Sequence, residues 1–371
     1  MKGYYFINTD LANHKGHSIQ IMNTIGAVNK AGINLEVVAP RYRGPYNFDE
    51  IHNYYGTIAK FPINFLYTPF NLAQRWSFIF FIFSSMIFLL GKRFRGEVDF
   101  IYFRSEYFWP LAILGRFLGL PFYYEVHRIG LSGRSARVKK WLAKHTKGLV
   151  VLTEVLKKSF SHLNDNIHVA HDAVHLADFT AGDCSQEEAR KRLGLRITGP
   201  IFSYVGSIKR IKGTDIILSI AEQFPNIEFY FVGYVEESYK SVFKSLPKNV
   251  HLVGQYTRDE NPLWLQASDL LLITHPDNSQ SQSPMKLFEY IAAGKPILSS
   301  DLPNIREVLC GPGALYYKPE DSQDFARAIR EYLDNQGLYE RNGRSNIKLA
   351  EQYTWEKRGI NIAEFIRGVI K

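Results

Sequence analysis

The sequence predicts an α/β protein of two doubly wound domains, each a parallel sheet flanked by helices. Two observations predict it. At 371 residues the chain exceeds the size at which a single hydrophobic core keeps growing. Short runs rich in Val, Ile, Phe and Tyr alternate with helical patterns through most of its length, the mark of βαβ units. Charge also divides the chain: residues 1–175 hold 21 Lys and Arg against 11 Asp and Glu, whereas the remainder holds 24 against 25.

Taken in order, the first half shows strand patterns at Gly3–Asn8, Leu35–Ala39, Val98–Phe103, Phe122–His127, Leu149–Thr153 and Ile167–Ala170. A helix is predicted from about His17 to Lys30, stopped by Ala31-Gly32. WSFIFFIFSSMIFLL, Trp76–Leu90, is apolar for 15 residues between Arg75 and the cations Lys92, Arg93 and Arg95. A spanning helix needs about 20 apolar residues. Two readings stay open for the segment: a buried helix, or an aromatic helix lying in a membrane interface beside a basic rim. Leu176–Pro200, with DFTAGDCSQEE, reads as a linker opening into the short helix EEARKRLGL. Beyond it come strands at Ile201–Gly206, Ile227–Gly233, His251–Gly254, Asp269–Thr274, Pro296–Ser300 and Ala314–Lys318, with helices between consecutive pairs. TWEKRGINIAEFIRGVI closes the chain as an amphipathic helix that need not belong to the second sheet. Domains are therefore predicted at 1–178 and 179–354, with 355–371 as a separate final helix.

With 46% hydrophobic and 22% charged residues, the composition excludes disordered, collagenous and coiled-coil classes. Two cysteines, Cys184 and Cys310, make neither a disulfide framework nor a zinc site, so a cytoplasmic setting is expected. MKGYYFINTD reaches polar residues before an apolar segment can form, and no signal peptide is expected there. The basic first half suits an anionic membrane surface or an acidic substrate. Nucleic acid is not expected as a partner, since no RNP, zinc-finger or basic-zipper signature accompanies the charge.

Ligands of doubly wound sheets bind beyond the carboxyl ends of the strands, and the loops there hold the unusual residues. In SQSPMKLFEYIAAGKPILSSD, Ser283 suits an N-cap and Pro284 the first helical position. The amides of Met285 and Lys286 then form an anion site with the helix dipole behind them. Leu287, Phe288, Ile291 and Ala292 make an apolar stripe, off which lie Lys286 and Glu289. Glu289 is either placed for the hydroxyls of a ribose or half of an ordinary surface pair with Lys286. After the strand ending at Gly206, GSIKRIKGTD sets Lys209, Arg210 and Lys212 in a Gly-bounded loop, a phosphate cradle or a solvated basic turn. YYEVHR puts Glu125 and His127 on one strand face. NHKGHS, with Gly16 at the first strand-helix turn, is a weak phosphate loop without GxGxxG. The chain holds no Asp-x-Asp pair, so no metal-held diphosphate of that type is encoded; cations and helix dipoles are expected to neutralise the charge, with no cofactor or metal.

VGSIKRIKG, FYFVG, VHLVGQY, ASDLLLIT and SPMKLFEYIAAGKPILSSDLPNIREVL together resemble family 4 of the retaining glycosyltransferases, of the GT-B fold. The resemblance spans nearly the whole chain and is weakest between Tyr42 and Gly96. It implies two Rossmann-like domains facing across a cleft, the first taking the acceptor and the second the nucleotide sugar, with the final helix crossing back to the first. It implies catalytic roles for His127, Arg210 and Lys212, a ribose contact at Glu289, and donor contacts at Gly16, Gly206, Ser281, Gln282, Ser283 and the amides of Met285, Lys286 and Leu287. Ser281 stands where the family usually has a glutamate, and Ser207 where an arginine often follows the strand-end glycine.

The expected activity is thus transfer of a sugar from a nucleotide diphosphate, a UDP-sugar, to a glycan or lipid-linked acceptor in cell-surface polysaccharide or glycoconjugate synthesis. The protein is expected in the cytoplasm or peripheral at the inner face of the membrane through residues 75–95. A sugar-nucleotide epimerase and an inactive membrane-surface protein are the competing readings.

Overall fold

The computed structural model describes residues 1–11, 16–41, 47–68, 75–129, 133–180, 184–195, 199–257, 260–279 and 282–370. Asn13 to Lys15 of the first turn, and Ser281, lie outside these. Two compact units emerge, residues 1–173 with 355–371, and residues 174–354. The first boundary thus falls before Val174, where the sequence placed it after residue 178.

The first unit is a seven-stranded parallel sheet of β1 (Lys2–Phe6), β2 (Asn34–Arg41), β3 (Ile63–Tyr67), β4 (Phe100–Phe103), β5 (Phe122–Val126), β6 (Gly148–Val151) and β7 (Ile167–Val169). Its order is β3-β2-β1-β4-β5-β6-β7. All four residues of β4 and all five of β5 are buried, because helices cover both faces and leave no polar side to alternate with. Sequence reading missed β3: INFLY is a half-buried edge strand with neither a buried run nor clean alternation.

Trp355–Ile370, the last helix, belongs to the first unit. Ile362, Ala363 and Ile366 enter the core formed by β1, β2, β4 and β5 with the helix Gly16–Lys30. Tyr123 of β5 donates to the Ile366 carbonyl at 3.1 Å. Helix Arg75–Phe94 buries one face of its apolar segment and exposes the other. Phe81 and Leu89 are fully buried in the core beside β1 and β4, while Ile79, Phe80, Phe83 and Ile87 are 45–62% exposed on the opposite face. Ser77–Phe94 is long and apolar enough to cross a membrane by length and composition, although its inner face packs on the sheet.

In the second unit β8 (Ile201–Val205), β9 (Glu228–Val232), β10 (Val250–Gly254), β11 (Leu270–Ile273), β12 (Ile297–Ser300) and β13 (Ala314–Tyr317) form a parallel sheet ordered β10-β9-β8-β11-β12-β13. The order reverses between β8 and β11, and such switch points open a crevice at the carboxyl ends of doubly wound sheets.

Candidate functional site

At the switch point of the second unit, the helix Met285–Ala292 lies against the end of β8. Tyr290 fixes it there: its hydroxyl accepts from the Val205 amide at 2.8 Å and donates to the Val205 carbonyl at 3.2 Å. Pro284, not Ser283, occupies the N-cap, with extended backbone at φ −81° and ψ 106°, and no side chain caps the helix. The Leu287 amide turns back to the Pro284 carbonyl at 2.9 Å, so it is not available to a ligand. Met285 and Lys286 alone keep amides outside the ladder of this helix start. Asn304 steadies the approach, donating to the carbonyls of Ser279 and Gln282.

Lys286 departs most from the sequence reading. Instead of a solvated partner for Glu289, its ammonium sits 3.3 Å from the centroid of the Tyr204 ring, beside Gly206. The residue is half-buried, but Nζ itself is sealed from solvent and has no hydrogen-bond partner among the described residues. Burial, then Lys212, push its pKa well below 10.5, with Glu289 pulling the other way. Lys212 is itself pushed down to about 8 by burial and by Lys209. Gly213 holds that lysine in place: its φ of 61° is left-handed, and a Cβ there would stand 2.4 Å from the Thr274 carbonyl. Thr274 in turn donates to the Lys212 carbonyl at 2.8 Å.

His275, directly after β11, went unremarked in the sequence although the strand-end rule points to its loop. Both of its ring nitrogens are buried without a hydrogen-bond partner among the described residues. Burial and the two lysines drive its pKa far below 6.5, so the ring is neutral. Two desolvated ammonium groups, a neutral imidazole and two helix-end amides thus converge with Glu289 as the near carboxylate. Such a set offers positive charge and free donors to an anion. Arg210 is not part of it: the side chain is exposed, its guanidinium 5.7 Å from the Tyr239 ring.

His127 lies in the first unit, on a cavity of about 390 Å³ at the carboxyl ends of β1, β4 and β5. Its Nε2 meets Glu125 Oε1 at 2.8 Å, as strand alternation predicts for residues two apart. Glu125 is fully buried and also accepts from Gln20 at 2.8 Å, Tyr102 at 2.9 Å and Arg358 of the last helix at 2.9 Å. Burial alone would raise the Glu125 pKa; Arg358 and His127 overcome it and hold the carboxyl below the usual range. His127 is pushed down to about 4, first by burial and then by Arg104, against the pull of Glu125. A neutral ring donating from Nε2 to the carboxylate leaves Nδ1 as its acceptor. Arg358 could not be found from sequence, because 233 residues separate it from Glu125. Gly16 begins the helix Gly16–Lys30 at the end of the first turn. Among the described residues no group of three His, Cys, Asp or Glu is placed to hold a metal ion.

Residues 185–349 match the family model described as glycosyl transferases group 1. TuaH of Bacillus subtilis strain 168, whose name ties it to teichuronic acid biosynthesis as a glycosyltransferase, is 25% identical over 190 residues, 50% of this chain and 47% of that one. The chain spans about half the length of the curated relatives it matches. Sucrose-phosphate synthase of Thermosynechococcus elongatus superposes with a TM-score of 0.79 at 14% identity, covering 100% of this chain and 99% of that one. HepE of Anabaena, solved with UDP-glucose, superposes at 0.78 and 16% identity, covering 99% and 100%. The fold is GT-B, as the sequence predicts.

Proposed function

We propose that this chain, whose residues 185–349 match the family model described as glycosyl transferases group 1, is a retaining family 4 hexosyltransferase acting on a nucleotide diphosphate sugar. The donor is a UDP-sugar, and the acceptor a glycan or lipid-linked glycan of cell-surface polysaccharide or glycoconjugate synthesis. One observation carries the reading: the sealed Lys286 ammonium beside Gly206, unpartnered among the described residues and within the stretch that matches the family model. HepE, of the same fold, holds UDP-glucose, and TuaH is named for teichuronic acid biosynthesis.

In this reading the donor diphosphate rests on Lys286, Lys212 and the amides of Met285 and Lys286, with Arg210 reaching it from the rim. Gly206 allows close approach, Glu289 takes the ribose hydroxyls, and Gln282 and Ser283 border the sugar. Preorganised cations stabilise the charge that grows on the leaving diphosphate, without a metal. The bond from the sugar C1 to the diphosphate oxygen breaks as the acceptor oxygen bonds to C1 on the same face. The acceptor proton leaves to that departing oxygen. His127 orients the sugar, and Gly16 lets the backbone approach it.

The exposed face of Ile79, Phe80, Phe83 and Ile87, followed by Lys92, Arg93 and Arg95, supports peripheral docking on an anionic membrane from the cytoplasmic side. A thermal-shift panel of UDP, GDP and ADP sugars tests the donor class, UDP-sugars raising the melting temperature most. Incubation with the best donor then separates transfer from epimerisation. Isomerised donor without any dependence on acceptor would overturn the transferase reading, and no stabilisation by any nucleotide would favour an inactive surface protein.

A further inference from the structure

The cavity of the first unit carries charge that the transfer chemistry does not use. Arg104, Arg128, Lys139 and Glu106 all line it, three cations against one carboxylate. Lys139, on the helix Gly133–His145, has a side chain only 9% exposed, and the nearest carboxylate, Glu106, is 3.9 Å away, too far for a hydrogen bond. Glu106 is already engaged, accepting from Ser135 at 2.6 Å. Arg104 is held in place by a donation to Gln20 at 2.8 Å, and Arg128 stands exposed at the rim. Burial lowers the pKa of Lys139, with Arg128 adding to the effect and Glu106 opposing it.

A largely buried ammonium whose ion-pair partner Glu106 stands beyond hydrogen-bond reach gains more from an anionic ligand than from a neutral one. We propose that this cavity binds a compact anionic group, a phosphate monoester or a carboxylate, carried by the acceptor next to the hydroxyl that receives the sugar. Lys139 and Arg128 hold the anion, and Arg104 sets the floor beside His127. At about 390 Å³ the cavity is within the ~300–1,000 Å³ of small-molecule sites, room for a polyol- or sugar-sized unit. The inference rests on the reading that the first unit receives the acceptor, but the charge preference can be measured without turnover.

Calorimetric titration of the full chain with glycerol 3-phosphate and glucuronate, against glycerol and glucose, tests it. Saturating UDP is present to occupy the cations of the second unit. The anions should bind at least about tenfold more tightly than the neutral compounds, as expected of charge-assisted hydrogen bonds. Lys139→Met and Arg128→Ala should each remove about that advantage while leaving UDP affinity as it was; Arg128 is exposed, so the second variant folds even if the first does not. The ratio between the two anions says whether phosphate or carboxylate is the natural group. Equal binding of neutral and anionic compounds, no anion binding, or anion binding unchanged in both variants would overturn the proposal. UDP is titrated separately: its failure to bind would sink the donor reading, whereas the anion preference and its loss in the variants stand apart from that result.

Discussion

Replacing Lys286 by methionine should weaken donor binding without weakening the protein, and the two effects have separate causes. The ammonium is sealed from water, has no hydrogen-bond partner among the described residues, and faces Lys212. Its closest favourable contact is the Tyr204 ring at 3.3 Å, about 2 kcal/mol for a desolvated cation over an aromatic face. Methionine fills nearly the same volume, keeps contact with the ring, and removes the buried charge, so the unfolding free energy should be unchanged or higher. A Lys whose folded pKa lies below 10.5 binds fewer protons folded than unfolded, and wild-type stability therefore rises from that depressed value up to about 10.5. The variant should lose this rise. Bound UDP, in contrast, loses a charge-assisted hydrogen bond to phosphate of about 1.5–3 kcal/mol, roughly 10- to 150-fold in Kd. Calorimetry of UDP binding and urea denaturation from pH 7 to 10 measure both. UDP affinity within about twofold of wild type, or a stability loss above about 2 kcal/mol, would refute the assignment of Lys286 to an anion site.

Other substitutions probe the remaining elements. Glu125→Gln leaves Arg358 buried without its counter-charge and should cost about 3–5 kcal/mol at neutral pH by urea denaturation. Because the folded pKa of Glu125 is depressed, its contribution is present above the usual carboxyl value of 4.5 and fades as pH falls through the folded one, so wild type and variant should converge in acid. Gly213→Ala forces a left-handed residue against Thr274; it should lower stability by about 1–3 kcal/mol and, by moving Lys212, weaken UDP binding in the same calorimetric assay. Glu289→Ala should raise the donor KM with the melting temperature preserved, and an unchanged KM would remove the ribose assignment. Serine at Phe80, Phe83 and Ile87 together should abolish sedimentation with anionic liposomes while changing stability by less than about 0.5 kcal/mol per site, since all three are exposed; persistent sedimentation would place the membrane contact elsewhere.

Much of the fold could be read directly because its signals are local. Fully buried strands such as FIYF and LLLI read as continuous apolar runs between turns, and the loops beyond the strands lead to His127, Lys212 and the Met285–Ala292 helix. Ile63–Tyr67 escaped because an edge strand has no such run. Ser283 looked like a cap because the preference for Ser before Pro is statistical, whereas the extended backbone of Pro284 starts the helix one residue later. Helix Arg75–Phe94 could not be read as buried or exposed from composition, since its apolar residues go all the way round and only the sheet beneath decides which of them meet water.

Sequence alone determined the two parallel sheets, the strand-end loops, and which residue types could meet an anion there, because periodicity and turn chemistry act over a few residues. Tertiary structure decided which way those residues point. A helical wheel cannot tell a Lys286 lying beside Glu289 in water from one folded in over Tyr204, since the choice depends on a strand more than 80 residues away. Nor can it join Glu125 to Arg358 from opposite ends of the chain, a contact that exists only once the last helix has packed into the core of the first unit.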